Sequence, residues 1–389
     1  MKKLLLILCA LLLCAGLSAA ADEETVVDAS GMFEYAVRED GSAELITYLG
    51  PDGRVLIPNE LDGHPLTAVR KNPFYDEGGA ALKPCAAAVA KDHPYLATIN
   101  NVLFGKTDWK LIAYPTTLTD TEYQIPEGIE IIGDYAFRQC GNLRSVSIPD
   151  SVTTIGASAF AYCINLSSAE IPAGVTSIGE SAFYDCNQLT SVVLPKGIGT
   201  IPAYAFGGCD NLSSVVIPDG VTTIGSCAFT YCGKLASVDL PGSVTLIGDH
   251  AFYTCKSLTS LVVPDGVADI GRDAFYGCNH LMSIELPESL ASIGNYAFSY
   301  NSALTSIVIP EGVTKIGEFA FNNCKNLTAV TIPDSVTSIG KSAFSGCSPE
   351  LLIQVGFGSY AESYCMKIAL NYKTNDDTYG DAPTDWLKH

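Results

Sequence analysis

The chain has 389 residues, of which 48% are apolar and 9% aromatic, and this excludes a mainly disordered polypeptide. A formal net charge of −20 excludes nucleic acid and anionic membrane surfaces as partners, because like charges repel. Length alone allows two or three ordinary domains, but a short internal period makes one continuous repeat body the better reading.

Residues 1–21 read as a secretory leader. Lys2 and Lys3 form the charged start, Leu4 to Leu17 the apolar stretch, and Ser18-Ala19-Ala20-Ala21 the small-residue cleavage region. Lipidation at Cys14 needs a small residue before it, and Leu13 stands there instead. No second apolar stretch of spanning length follows, so we expect a secreted or cell-surface protein without a transmembrane anchor. Residues 22–75 should form an N-terminal cap. Phe33 to Val37 and Ala43 to Leu49 alternate around a Glu39-Asp40-Gly41 turn, a hairpin pattern, and a first aberrant repeat starts at Val55. Residues 76–120 read as an irregular insert followed by a divergent repeat. Gly78-Gly79 and the alanines around Cys85 suggest a loop with one short helix.

From 121 to 351 the chain repeats every 23 residues. Phe137, Phe160, Phe183, Phe206, Phe229, Phe252, Phe275, Phe298, Phe321 and Phe344 keep this spacing without insertion or deletion. Pro126, Pro149 and Pro172 begin a second column that runs to Pro333. A third holds Cys140, Cys163, Cys186, Cys209, Cys232, Cys255, Cys278, Cys324 and Cys347, broken only at Asn301. In one unit, Val146 and Ile148 alternate with Ser145 and Ser147 as a short strand, and Pro149-Asp150-Ser151 turns the chain. Val152 to Ile155 is a second extended segment. Gly156 suits a positive φ, and Ala157 to Phe160 fits a single helical turn. A cap follows at 352–372, where Ser359 and Glu362 make a capping-box start to a helix ending near Ile368. Residues 373–389 read as a flexible acidic tail.

The unit Leu-x-Ser-Val-x-Ile-Pro-x-x-Val-Thr-x-Ile-Gly-x-x-Ala-Phe-x-x-Cys resembles the BspA-like, or Treponema pallidum-type, leucine-rich repeats. The match is strong over 125–351. It extends to Leu45-Ile46-Thr47-Tyr48-Leu49-Gly50, Asn101-Val102-Leu103-Phe104 and Gly358-Ser359-Tyr360-Ala361-Glu362, which look like that family's end segments. The resemblance implies a repeat solenoid: a right-handed superhelix with a 23-residue period, mainly short parallel strands with single helical turns, and the Leu-x-x-Val-x-Ile-Pro strand on the concave side. It also implies a secreted or surface protein of bacteria living with a host, with adhesion and protein binding as the family's usual work.

Chemistry is sparse. Neighbouring ladder cysteines stack at about 4.8 Å with parallel side-chain vectors, whereas a disulfide wants Cβ atoms near ~3.8 Å and converging. The cysteine column is therefore expected to be small buried hydrophobes. Glu127, Asp150, Asp219, Asp265, Glu288, Glu311 and Asp334 follow the prolines. They suit a Ca²⁺ ladder less well than ordinary turn acids, since no second ligand set accompanies them. His64, His93, His250, His280 and His389 share no metal or catalytic spacing, and no nucleophile motif is present. Tyr184, Tyr231, Tyr253, Tyr276 and Tyr300 make either an exposed aromatic edge or half-buried packing. Neither a cofactor nor catalytic residues are expected. The candidate ligand-binding residues are the outward strand positions Glu170, Val193, Val216, Asp239, Val262, Glu285 and Val308, beside a serine column. The expected function is adhesin-like binding of host or bacterial surface proteins, including extracellular matrix, by a monomer. A structural spacer or envelope scaffold is the alternative, and an enzyme comes third.

Overall fold

The computed structural model describes residues 24–76 and 85–375. The expected leader at 1–21 and the tail from 376 lie outside the described residues. Two compact units divide the chain, residues 1–166 with 177–182, and residues 167–176 with 183–389.

In the first unit, Phe33–Val37 and Ala43–Tyr48 pair antiparallel, and the turn between them is closed by Arg38 N donating to Ser42 O at 2.8 Å. His64–Val69 then adds parallel to Ala43–Tyr48, the first coil-like step. The expected loop around Cys85 is instead a strand, Cys85–Val89, parallel to Gly53–Ile57. Alanines have low strand propensity, but a partner strand satisfies their backbone groups and buries Ala87. Leu96–Ile99 and Val102–Gly105 form a second hairpin across Asn100 and Asn101, whose φ values of 50° and 66° suit the right-handed twist. Lys110–Ala113 is antiparallel to this hairpin on one side and parallel to Ile131–Ile132 on the other. It is the strand where cap geometry becomes repeat geometry.

Within each unit, backbone hydrogen bonds join regular coils along three paths, the first of them broken into short runs. The Ser-Val-x strands form the first, as in Ser191–Val193 paired with Ser214–Val216. The Thr-Ile segments form the second, a seven-stranded parallel ladder in the second unit from Thr200–Ile201 to Ser338–Ile339. The third runs through the phenylalanine turns and corrects the expected helical turn. Around Phe229, the N–H groups of Cys227, Phe229 and Tyr231 donate to the next coil, at Asp249, Ala251 and Tyr253. The N–H groups of Ala228, Thr230 and Cys232 close turns within the coil. A helix would point every N–H along its own axis. Here Cys227 (φ 57°) and Tyr231 (φ 59°) are left-handed, and this swings alternate peptides onto the stack. The coil 236–239 departs from the first path: it has no assigned strand.

Glycine in the Ile-Gly pair is therefore not there for positive φ. In the Gly156 coil that conformation falls on Ser158 (φ 51°) and Tyr162 (φ 62°). A Cβ on Gly156 would sit 2.6 Å from Asp134 N and 2.7 Å from Gly133 C. The column is glycine because one backbone rests directly on another. Beside it the phenylalanine rings are fully buried and stacked nearly parallel. Phe137 and Phe160 are 4.9 Å apart in the first unit, and Phe229 and Phe252 are 5.4 Å apart in the second.

The last coil is covered by the helix Tyr360–Ile368. Ser359 Oγ accepts from Glu362 N at 3.1 Å, and Glu362 Oε2 accepts from Gly358 N at 2.7 Å. Leu352–Val355, in the expected cap, pairs with Tyr372–Thr374, which lies parallel to it. Part of the stretch read as a flexible tail is thus ordered, because the open edge of Leu352–Val355 takes up its backbone groups.

Gly271→Ala should destabilise the protein by about 1–3 kcal/mol, the usual cost of forcing atoms into a packed site. Its Cβ would meet Gly248 C at 2.7 Å and Asp249 N at 2.8 Å. Gly242→Ala, where a Cβ meets nothing within 4 Å, should be neutral or slightly stabilising, within about 1 kcal/mol. Urea unfolding followed by circular dichroism distinguishes the two.

Candidate functional site

Side chains alternate sides along a strand, so in strands such as Ser191–Val193, Ser214–Val216, Ser260–Val262 and Ser306–Val308 the central residue is buried and its neighbours face out. All seven candidate residues lie in the second unit and all are exposed. Val193, Val216, Val262 and Val308 are 64%, 53%, 59% and 66% exposed, an unusual burden for β-branched apolar groups. In register, Val193 stands beside Val216 and Val262 beside Glu285. Asp239 occupies the same column in the coil that lacks an assigned strand. Ser191, Ser214, Ser260, Ser283 and Ser306 form a second outward row, exposed two residues earlier. Met282, 59% exposed, adds an apolar group that the strand alternation did not single out. Beyond the prolines, Asp219, Asp265, Glu288, Glu311 and Asp334 are exposed along the next edge.

The cysteine column does more than fill space. Most ladder thiols point at the phenylalanine carbonyl one coil back: Cys163 Sγ donates to Phe137 O at 3.0 Å, Cys255 Sγ to Phe229 O at 3.1 Å, and Cys324 Sγ to Phe298 O at 3.1 Å, whereas Cys140 at the start of the column reaches Tyr114 O at 3.7 Å. Asn301 fits the same slot, its Nδ2 donating to Phe275 O and Phe298 O, both at 3.1 Å. Its Oδ1 is buried without a partner. Sequence reasoning took the column as purely apolar. The signal it missed was Asn301 itself, since the slot accepts a polar residue that can donate as a thiol does. Among the described residues the ladder cysteines form no disulfide. Burial pushes the Cys163 and Cys278 thiols up to about 12 and the half-buried Cys347 to about 11, so they are poor nucleophiles.

The histidines are dispersed. His93 is buried, its Nδ1 accepting from Leu96 N at 3.1 Å, and burial lowers its pKa. His280 is exposed and bonds Lys256 O at 2.7 Å. His250 is half-buried. Its Nε2 lies 3.4 Å from Asp273 Oδ2, which Arg272 Nε also reaches at 3.1 Å. Burial raises the Asp273 pKa against the opposing pull of its His250 and Arg272 neighbours. The two residues are one period apart in one column, which is the legible sign of that pair. Among the described residues no three His, Cys, Asp or Glu side chains gather as a metal site would require, and no helix is long and apolar enough to cross a membrane. Tyr184, Tyr231, Tyr253 and Tyr276 are half-buried, and only Tyr300 of the five is exposed. Tyr253 and Tyr276 stack at 4.8 Å, so their faces pack on each other.

A family model described as BspA type leucine rich repeat region (6 copies) matches residues 112–236 and again residues 222–350. No curated protein matches the chain. Among solved structures it is similar to a leucine rich cell surface protein from Faecalibacterium prausnitzii, at 26% identity over 89% of this chain and 98% of that one, with a TM-score of 0.45. A leucine-rich repeat protein from Bacteroides ovatus is 24% identical over 90% of this chain and 99% of that one, with a TM-score of 0.39. The T. pallidum leucine rich repeat protein is 22% identical over 70% and 88%, with a TM-score of 0.28.

Two outcomes follow from the thiol column. Asn301→Cys should stabilise the protein by about 1–3 kcal/mol, the usual cost of a buried unpaired acceptor, read as a higher unfolding midpoint in urea. A raised thiol pKa also means that stability is fully present below the unfolded value near ~8.5 and is lost as pH rises through the folded values. Thermal midpoints should hold from pH 6 to 8 and fall between about pH 8.5 and 11, while maleimide at pH 8 labels the ladder thiols only after denaturation.

Proposed function

Since this chain belongs to the BspA type leucine rich repeat family, we propose that it is a secreted or cell-surface bacterial module that binds other proteins through its outward strand rows and has no catalytic activity of its own. The observation that carries this reading is the valine column. Val193, Val216, Val262 and Val308 lie on the outward side of strands whose inward residues already fill the core. Covering apolar surface contributes roughly 25 cal/mol per Å², and a protein surface is the partner able to cover a strip that runs over several coils. The serine row beside it supplies hydroxyls that donate or accept at the rim. Nucleophilic chemistry finds no support in the described thiols, whose pKa values are raised by burial where they sit on the ladder. A structural spacer is the second reading, and it gives the valine column no work.

The triple variant Val193→Lys, Val216→Lys, Val262→Lys separates them. These side chains point away from the core, so the circular dichroism spectrum and melting temperature should be unchanged. Affinity for a partner identified from bacterial-surface or host-matrix extracts should fall at least tenfold, measured by surface plasmon resonance. Undiminished binding by the folded variant would sink the proposal.

A further inference from the structure

On the reading that the outward strand rows bind protein, their charge pattern narrows the partner. From Asp239 onward the column alternates, one residue per coil: Asp239, Val262, Glu285, Val308. The edge beyond the prolines adds Asp265, Glu288, Glu311 and Asp334, and all these acids are exposed. The column from Glu170 to Val308, the serine row beside it and the post-proline edge from Asp219 to Asp334 contain no Lys or Arg. The ion pairs at Glu44 and Asp273 lie elsewhere, and none of these acids forms one among the described residues. The face therefore presents apolar groups and uncompensated negative charge together, and the complement is apolar and positive.

Spacing selects the partner's secondary structure. Paired strands such as Ser260–Val262 and Ser283–Glu285 set a spacing of about 4.8 Å between coils. An α-helix returns a side chain to the same face every ~5.4 Å, whereas an extended strand does so every ~6.7 Å. Over the four coils from Asp239 to Val308 a helix drifts by only about 2 Å, less than a side chain can absorb. We infer that this face receives a cationic amphipathic α-helix of a partner protein, laid along the stack. Its lysines or arginines meet Asp239, Glu285 and the post-proline acids, and its leucine-sized groups meet Val262 and Val308.

The test uses the full chain and labelled 18-residue peptides in fluorescence anisotropy at 150 mM salt. One peptide is a Lys/Leu amphipathic helix, one a Glu/Leu helix of the same pattern, one a Lys/Ala helix without an apolar face, and one an alternating Lys/Val strand. The Lys/Leu helix should bind at least tenfold tighter than the other three. Asp239→Asn with Glu285→Gln should weaken it about tenfold, as should Val262→Ser with Val308→Ser. Glu180→Gln with Glu318→Gln, equal in charge but on the Gly-adjacent turn, should change it less than twofold. Circular dichroism verifies that each variant is folded. Equal or tighter binding of the strand, Glu/Leu or Lys/Ala peptide overturns the inference, and so does an equal loss in the control variant. If the triple valine-to-lysine variant loses a captured partner while the Lys/Leu helix fails to bind, the helix inference falls and the protein-binding reading stands.

Discussion

Everything in the repeat region depends on one demand: each coil must hand its backbone hydrogen bonds to the next. A coil of 23 residues has too little secondary structure to satisfy its own peptide groups, and buried unpaired ones cost too much to tolerate. The three inter-coil paths answer that demand, and the oddities of the sequence follow from it. Left-handed residues such as Cys227 and Tyr231 accept local strain so that alternate peptides in the turn face along the stack. Glycine occurs where two backbones touch. The phenylalanine carbonyls at Phe137 and Phe229 gain a second donor from the thiol of the following coil. Hydrogen bonding sets the spacing, and ring stacking then fills the interior at that spacing.

Much of this was legible because a period shows which residues are equivalent. Once the phenylalanines fixed the register, strand alternation was enough to place Val193 and Val262 outward and Val192 and Leu261 inward. The pattern failed where backbone conformation, rather than side-chain burial, decides the residue. Gly156 suggested positive φ, but the left-handed positions fell on Ser158 and Tyr162, residue types that carry no such signal. Strand Cys85–Val89 was hidden because its pairing with Gly53–Ile57 is long-range and its alanines are neutral to the choice. Tyr372–Thr374 was hidden for a similar reason: an edge recruits whatever chain lies beside it.

The outward rows were visible in the sequence as positions, whereas their chemistry emerged from exposure and neighbours together. Asp239 and Glu285 read singly are solvated surface acids. Alternating in one column with Val262 and Val308, and with no Lys or Arg in that column or in the serine row beside it, they define a field and a surface at once. His250 and Asp273 show the same lesson inside the turn, where two unremarkable residues one period apart become a pair.

Regularity also has a folding consequence. Where every coil offers the same columns, a coil that stacks on its second neighbour and loops out the one between meets nearly the same hydrogen bonds and the same rings. Such alignments are nearly degenerate, the characteristic trap of repeat chains. What breaks the degeneracy is whatever does not repeat. The His250–Asp273 contact exists only when those two coils are adjacent, and it thereby acts as a local address on an otherwise uniform ladder.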